Sequence, residues 1–178
     1  FAAAHLVGQF PARGAGGWPP RRPVGPAGPR GPATPVASDC SMAAGLAWRA
    51  AQLGADEGLR VSIAPTLNVT LSWYHMQFPG SMRLSTTTFL TVFQEVCDSI
   101  LHHGFKNIVA INGHGGNVAA LTVAVSSYFE NTGNRVFLAQ WWDLAADVLA
   151  DVEGPMIHAE EAETSIAMAV GQRVDMDK

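Results

Sequence analysis

Apolar positions recur along this chain with two periods, and from Asp39 onward the two alternate. Between Cys40 and Leu53 the residues Met42, Leu46, Ala47, Ala50 and Leu53 keep to one helical stripe, which predicts a helix closed by Gly54. Leu59–Ala64 alternates as a strand does and stops at Pro65. Thr86–His103 sets Phe89, Leu90, Phe93, Val96, Cys97, Ile100 and Leu101 on one face, an amphipathic helix with Gly104 as its stop. The apolar run Ile108-Val109-Ala110-Ile111 reads as a buried strand, and Val118–Val125 opens a helix with Asn117 as its N-cap and Gly133 as its end. Arg135–Ala139 supplies a further strand, followed by Trp141-Trp142-Asp143 and a short helix through Leu149. Strands and helices alternating at short intervals predict right-handed βαβ units: an α/β fold with a mostly parallel central sheet covered by helices on both faces.

Two stretches depart from this regularity. Residues 66–85 form a long connection centred on Trp73-Tyr74-His75 and Phe78-Pro79-Gly80, and a loop of that length inside a domain is usually functional. Residues 1–38 hold eight of the eleven prolines and no acidic residue. A run such as Pro23–Pro32 suits neither a helix nor a central strand. The chain therefore divides into an irregular Pro/Gly-rich segment, 1–34, and an α/β domain, 35–178.

Bulk properties narrow the function classes. The length of 178 residues suits one domain with a sizeable core. A net charge of −4, with no Lys/Arg cluster after Arg22, offers no surface for nucleic acid. No apolar run approaches the length of a membrane span. Only Cys40 and Cys97 are present, without metal-type spacing, which fits a reduced, cytoplasmic setting. The lack of an initiator Met and of a signal pattern reads as a fragment or a partial reading frame. Asn68-Val69-Thr70 matches a glycosylation sequon, read here as chance.

Chemistry concentrates in two places. Asn112-Gly113-His114-Gly115-Gly116-Asn117 is a strand-to-helix turn, and ligand sites in α/β sheets lie at such carboxyl strand ends. Its glycines are expected to let the backbone turn sharply and leave the imidazole uncrowded. Downstream, His158-Ala159-Glu160-Glu161-Ala162-Glu163-Thr164-Ser165 precedes a helix. Acidic residues in a first helical turn can simply complement the helix dipole. A histidine among carboxylates can equally serve as a general acid/base and a metal ligand. On spacing alone the two readings stand level. A nucleotide-binding reading of the Gly-rich turn is set aside, because Gly-x-Gly-x-x-Gly and the P-loop Lys are both missing.

The two stretches in this order, with Pro35-Val-Ala-Ser-Asp39 and the Trp73–Gly80 loop upstream, resemble the creatininase (creatinine amidohydrolase) family. The loop is similar to the family's Glu-His-x-x-Phe-Pro-Gly-Thr. The resemblance implies a three-layer αβα sandwich, here truncated at the carboxyl end. It implies a homo-oligomer, hexameric in the family, and a divalent-metal site holding zinc with manganese or iron. The implied activity is hydrolysis of a C–N bond in a small cyclic amide or amide-like compound through metal-activated water. Carried over residue by residue, it makes Asp39, His114 and Glu163 metal ligands that should converge at one sheet edge. His158 and Glu161 become the catalytic residues. His75, Gly115, Gly116, Trp141 and Trp142 would bind substrate.

One interval departs from the family pattern. Where the family reads Pro-Val-Gly-x-x-Glu-Gln-His-Gly-Pro-His-Leu-Pro, residues 23–35 keep the length but place Gly28 for the Glu and Arg30 for the His. Glycine has no donor atom, and a guanidinium is a permanent cation that repels a metal. A compensated frameshift or a decayed paralogue would both produce that pattern. The expected consequence is an impaired hydrolase; the alternative is a non-catalytic protein of the same fold that binds one metal or none.

Overall fold

A computed structural model describes residues 4–9, 29–30, 34–35, 38–77, 79, 81–151, 161–172 and 174, the first three groups as backbone alone. Six strands and six α-helices follow in the order β1 (Ala4–Gln9), β2 (Pro29–Arg30), β3 (Thr34–Pro35), α1 (Ser38–Asp56), β4 (Val61–Ile63), α2 (Thr86–His102), β5 (Asn107–Asn112), α3 (Val118–Thr132), β6 (Val136–Gln140), α4 (Trp141–Leu144), α5 (Ala146–Leu149) and α6 (Glu161–Ala169). Among the described residues the main sheet runs β4-β1-β5-β6, and β2 pairs with β3.

Within residues 1–34 the described stretches Ala4–Gln9 and Pro29–Arg30 are strands. Ala4–Gln9 lies inside the sheet, antiparallel to both β4 and β5, with Val7 opposite Ile63 on one side and Val109 on the other. Strands β4, β5 and β6 thus point the same way, but only β5 and β6 are adjacent parallel neighbours. The expected mostly parallel sheet holds for strand direction and not for pairing. Pro29 faces Pro35 and Arg30 faces Thr34 across the β2–β3 ladder.

Helix ends follow from backbone chemistry. Helix α1 runs through Gly54, the expected stop, because that position stays compatible with helix; Gly58, at φ +81°, is where the chain turns over. Helix α2 starts where Ser85 Oγ accepts from Thr88 N–H at 3.2 Å and is followed by Gly104 at φ +87°. Helix α3 ends on Gly133 at φ +72°, whose N–H donates to Phe129 O at 2.8 Å. Strand β4 is shorter than Leu59–Ala64, since Leu59 N–H closes the α1 turn onto Gly54 O at 2.8 Å.

Strand β5 shows why the sheet sits where it does. Ile108 and Ala110 join Phe89, Phe93 and Cys97 of α2 and Ala120, Leu121, Ala124 and Tyr128 of α3 in the main core. Ile111 joins Ala47 of α1 on the other side, with Val61, Ile63, Val109 and Ala139 packed around them. Alternate residues of a strand face opposite ways, so helices pack on both faces. Burying side chains such as Phe89, Phe93, Ile108 and Leu121 stabilises the fold by roughly 1.5–3 kcal/mol each. Parallel pairing sets Asn112 level with Gln140, so β5 and β6 end side by side. Helix α6 packs against α1, where a Cβ on Gly45 would overlap the Val170 side chain. No described helix is long and apolar enough to cross a membrane.

Candidate functional site

Asp39 lies in the first turn of α1, and His114 lies two residues beyond the end of β5. Their side chains meet: His114 Nδ1 is 2.9 Å from Asp39 Oδ2, and both side chains are wholly buried. A carboxylate is favoured at a helix N-terminus by the macrodipole, which helps offset its removal from water. The turn glycines make the meeting possible, although not by the expected route. None of Gly113, Gly115 and Gly116 has positive φ. Gly113 is needed because a Cβ there would sit 2.6 Å from the backbone oxygen Asp39 O, while a Cβ on Gly116 would sit 2.5 Å from His114 Nε2 and displace that ring. A Cβ on Gly115 would meet nothing within 4 Å. The imidazole is therefore enclosed rather than uncrowded, and the close approach of chain to chain is what requires glycine.

A polar network surrounds the pair. Asn112 Oδ1 accepts from His114 N–H at 3.1 Å and from Asn117 Nδ2 at 3.3 Å, while Asn112 Nδ2 donates to Gln140 Oε1 at 3.3 Å. Asn117 makes no side-chain cap for α3. Its Oδ1 instead accepts from Leu71 N–H at 3.2 Å. The predicted N-cap is thus a cross-brace, because a long-range backbone donor stands where the first helical turn would have supplied one. Sequence reasoning missed Leu71, Ser72 and Gln140 as parts of this site; the one signal was a pair of asparagines flanking the turn.

The other expected site residues fall at varying depths. His75 sits half-buried on a 3-10 helix, Trp73–Gln77, with Nδ1 2.8 Å from Ser72 Oγ and its ring centroid 5.8 Å from that of His114. Trp73 and Tyr74 beside it are exposed. Trp141 is buried at the start of α4, directly after β6, and Trp142 packs edge-on against it at 5.6 Å. Gly116 is half-buried and Gly115 exposed. Glu161 is exposed at the start of α6, and Glu163 is half-buried in its first turn. Among the described residues no three His, Cys, Asp or Glu side chains gather as a metal requires, and the contact given between expected ligands is that of Asp39 with His114. His158, Glu160, Phe78, Gly80 and Gly28 lie outside the described residues, as does the Arg30 side chain. Of the apparent sequon, Asn68 is exposed and Thr70 wholly buried.

The family model Creatininase, described as creatinine amidohydrolase, matches residues 22–178. The chain belongs to the creatininase family. A mycofactocin precursor peptide peptidase from Mycolicibacterium smegmatis (strain ATCC 700084 / mc(2)155) is 34% identical over 105 residues, 58% of this chain and 42% of that protein. The match thus spans less than half the length of that relative. As a creatininase-family site, the Asp39–His114 pair passes a simple chemical test for a divalent ion. Oxygen and imidazole nitrogen are donors that suit a borderline cation. Their 2.9 Å separation is that of a direct hydrogen-bonded ion pair; the tetrahedral angle zinc prefers sets two such ligand atoms about 3.3–3.6 Å apart, so an ion would open the pair slightly.

Proposed function

We propose that this creatininase-family chain is a metal-dependent amidohydrolase whose site is centred on Asp39 and His114. The observation that carries the reading is the burial of a carboxylate and an imidazole 2.9 Å apart beside the carboxyl end of β5. Each group is the other's partner across that contact, and the same carboxylate oxygen and imidazole nitrogen are donors of the kind a divalent cation takes. A divalent ion held there lowers the pKa of water and polarises a carbonyl.

The chain's own residues frame the remaining roles. Asp39 and His114 hold the ion, with Glu163 as the family-implied third ligand. His75, Gly115, Gly116, Trp141 and Trp142 border the substrate, and His158 with Glu161 handles the proton at the departing nitrogen. Gly28 and Arg30 stand where the family supplies two more ligands, so one ion per chain is the expected capacity and the activity is impaired. The substrate is a small cyclic amide or amide-like compound; the relative's name adds a peptide bond as a second C–N target to assay. Zinc with manganese or iron, a cytoplasmic setting and a homo-oligomer complete the reading by family resemblance.

The test is zinc titration of the chelator-dialysed protein by calorimetry. One ion per chain is expected, with binding lost in Asp39→Asn and His114→Ala. Paired Gly28→Glu and Arg30→His should raise occupancy towards two. Slow hydrolysis of creatinine or of a peptide amide should need added metal and disappear in His158→Ala. A folded protein that binds no zinc, or one that already holds two ions tightly, overturns the reading.

A further inference from the structure

Asn117 occupies the position before α3, where a side chain ordinarily accepts from amides of the first helical turn. It is wholly buried and makes no such bond. Its carboxamide bridges two separate parts of the site instead. Oδ1 accepts from Leu71 N–H at 3.2 Å, and Nδ2 donates to Asn112 Oδ1 at 3.3 Å, the oxygen that also accepts from His114 N–H at 3.1 Å. From Leu71 the chain passes into Ser72, whose carbonyl accepts from His75 N–H at 3.2 Å and whose Oγ lies 2.8 Å from His75 Nδ1. Gly116 tightens the same junction, since a Cβ there would stand 3.2 Å from Leu71 O. At the end of this path the His75 and His114 rings lie 5.8 Å apart at 51°.

We propose that Asn117 is a positioning residue that joins the His75 segment to the His114 turn, so that the two imidazoles are presented to a ligand as one unit. The inference rests on the reading of Asp39 and His114 as the centre of the site. Only a carboxamide suits the place, because one arm must accept from an amide and the other must donate to an oxygen already used as an acceptor. Asp at 117 would keep the first arm and set a carboxylate against Asn112 Oδ1 in the second. Ala would remove both. The two arms can therefore be cut separately.

The test is amide hydrogen exchange by NMR on the full chain, together with the cross-relaxation peak between the His75 and His114 ring protons. Core amides of Ala110 and Leu121 report global opening. In Asn117→Ala the Leu71 amide should exchange roughly tenfold faster, the scale of one buried hydrogen bond, while the core amides change far less and the ring-to-ring peak fades. In Asn117→Asp the Leu71 amide should keep its protection while that of His114 loses it. The proposal fails if Leu71 exchange and the ring contact survive Asn117→Ala, or if core amides accelerate as much as Leu71. Should Asn117→Ala not fold, the Asp variant decides alone: unequal loss at His114 and Leu71 upholds the two-armed brace, and equal loss or none overturns it. Zinc titration of the unaltered protein is read separately. A protein that binds no zinc would remove the proposed function, while the exchange data would still decide the role of Asn117.

Discussion

Asp39 Oδ2 lies 2.9 Å from His114 Nδ1, joining the first turn of α1 to the turn that follows β5. The pair ties a helix to the sheet it covers, and both side chains are fully buried. Its geometry therefore bears on stability as well as on ligand binding.

Asp39→Asn keeps the shape of the side chain and removes its charge. Breaking a buried pair from one side leaves the other partner poorly satisfied, which costs about 3–5 kcal/mol where both groups are charged and less where the imidazole is neutral. We expect a lower urea midpoint for Asp39→Asn and loss of zinc binding. Unchanged stability together with unchanged zinc affinity would show that the pair is incidental.

Tyr128 and Cys97 make stability depend on alkaline pH. Tyr128 OH donates to Asp98 Oδ1 at 2.6 Å. Burial, then that hydrogen bond and the negative charge of Asp98, raise the phenol above its ordinary value of 10.0. Burial, with a smaller contribution from Asp98, pushes the Cys97 thiol from 9.0 up to about 12. Both groups are favoured in their neutral forms by folding. Their contribution is present in full below pH 9 and is lost as pH rises through the folded-state values. The expected result is a free energy of unfolding that declines above pH 9. Tyr128→Phe should flatten the decline above pH 10 and cost about 1 kcal/mol at neutral pH through the lost hydrogen bond. A flat profile from pH 8 to 11 in the unaltered protein would contradict this.

The main core predicts a contrast between two phenylalanines. Phe93 is 1% exposed among residues of α2, α3 and β5, whereas Phe137 on β6 is 53% exposed. Phe93→Ala should destabilise by about 3–5 kcal/mol through lost transfer energy and a cavity. Phe137→Ala should stay within about 0.5–1 kcal/mol. Thermal melts of the two variants side by side check the expectation; equal effects would mean that the core is misplaced.

How much of this was legible in the sequence differs from element to element. Helix α2 was readable almost to the residue, because seven apolar positions share one face and Gly104 marks its end; the Ser85 cap became visible only in the structure. Strand β5 and its turn were readable because an apolar run meets Asn and Gly where a buried strand must stop. Strand β1 was not: six residues beside a long Pro/Gly-rich run carry little periodic signal, and their place between β4 and β5 is decided by pairing partners far along the chain. The role of Asn117 was hidden for a related reason. A polar residue before a helix announces a cap, and only the fold reveals that Leu71 N–H has arrived to take its oxygen. His114 and Asp39 were singled out through the family pattern, and their contact is visible only in three dimensions.

The three turn glycines supply the last prediction, since identical substitutions there should have different consequences. At 113 a Cβ would meet the Asp39 carbonyl oxygen at 2.6 Å and the Ala43 Cβ at 3.0 Å. The oxygen belongs to the backbone of α1 and cannot swing aside, so Gly113→Ala must move the turn away from the helix, at a cost of about 1–3 kcal/mol. At 116 the nearest atom is His114 Nε2 at 2.5 Å, the end of a side chain that can rotate, with Leu71 O behind it at 3.2 Å. Gly116→Ala should therefore turn the imidazole away from Asp39 and weaken zinc binding more than it lowers stability. At 115 nothing lies within 4 Å, and φ there is not positive, so Gly115→Ala should be neutral or slightly stabilising through reduced unfolded-state entropy. Urea denaturation and zinc titration of the three variants give six numbers, and the order 113, 116, 115 in stability loss is the expected one. A Gly115→Ala variant as damaged as Gly113→Ala would mean that the turn needs glycine for backbone freedom after all, and that its close approach to Asp39 does not govern the site.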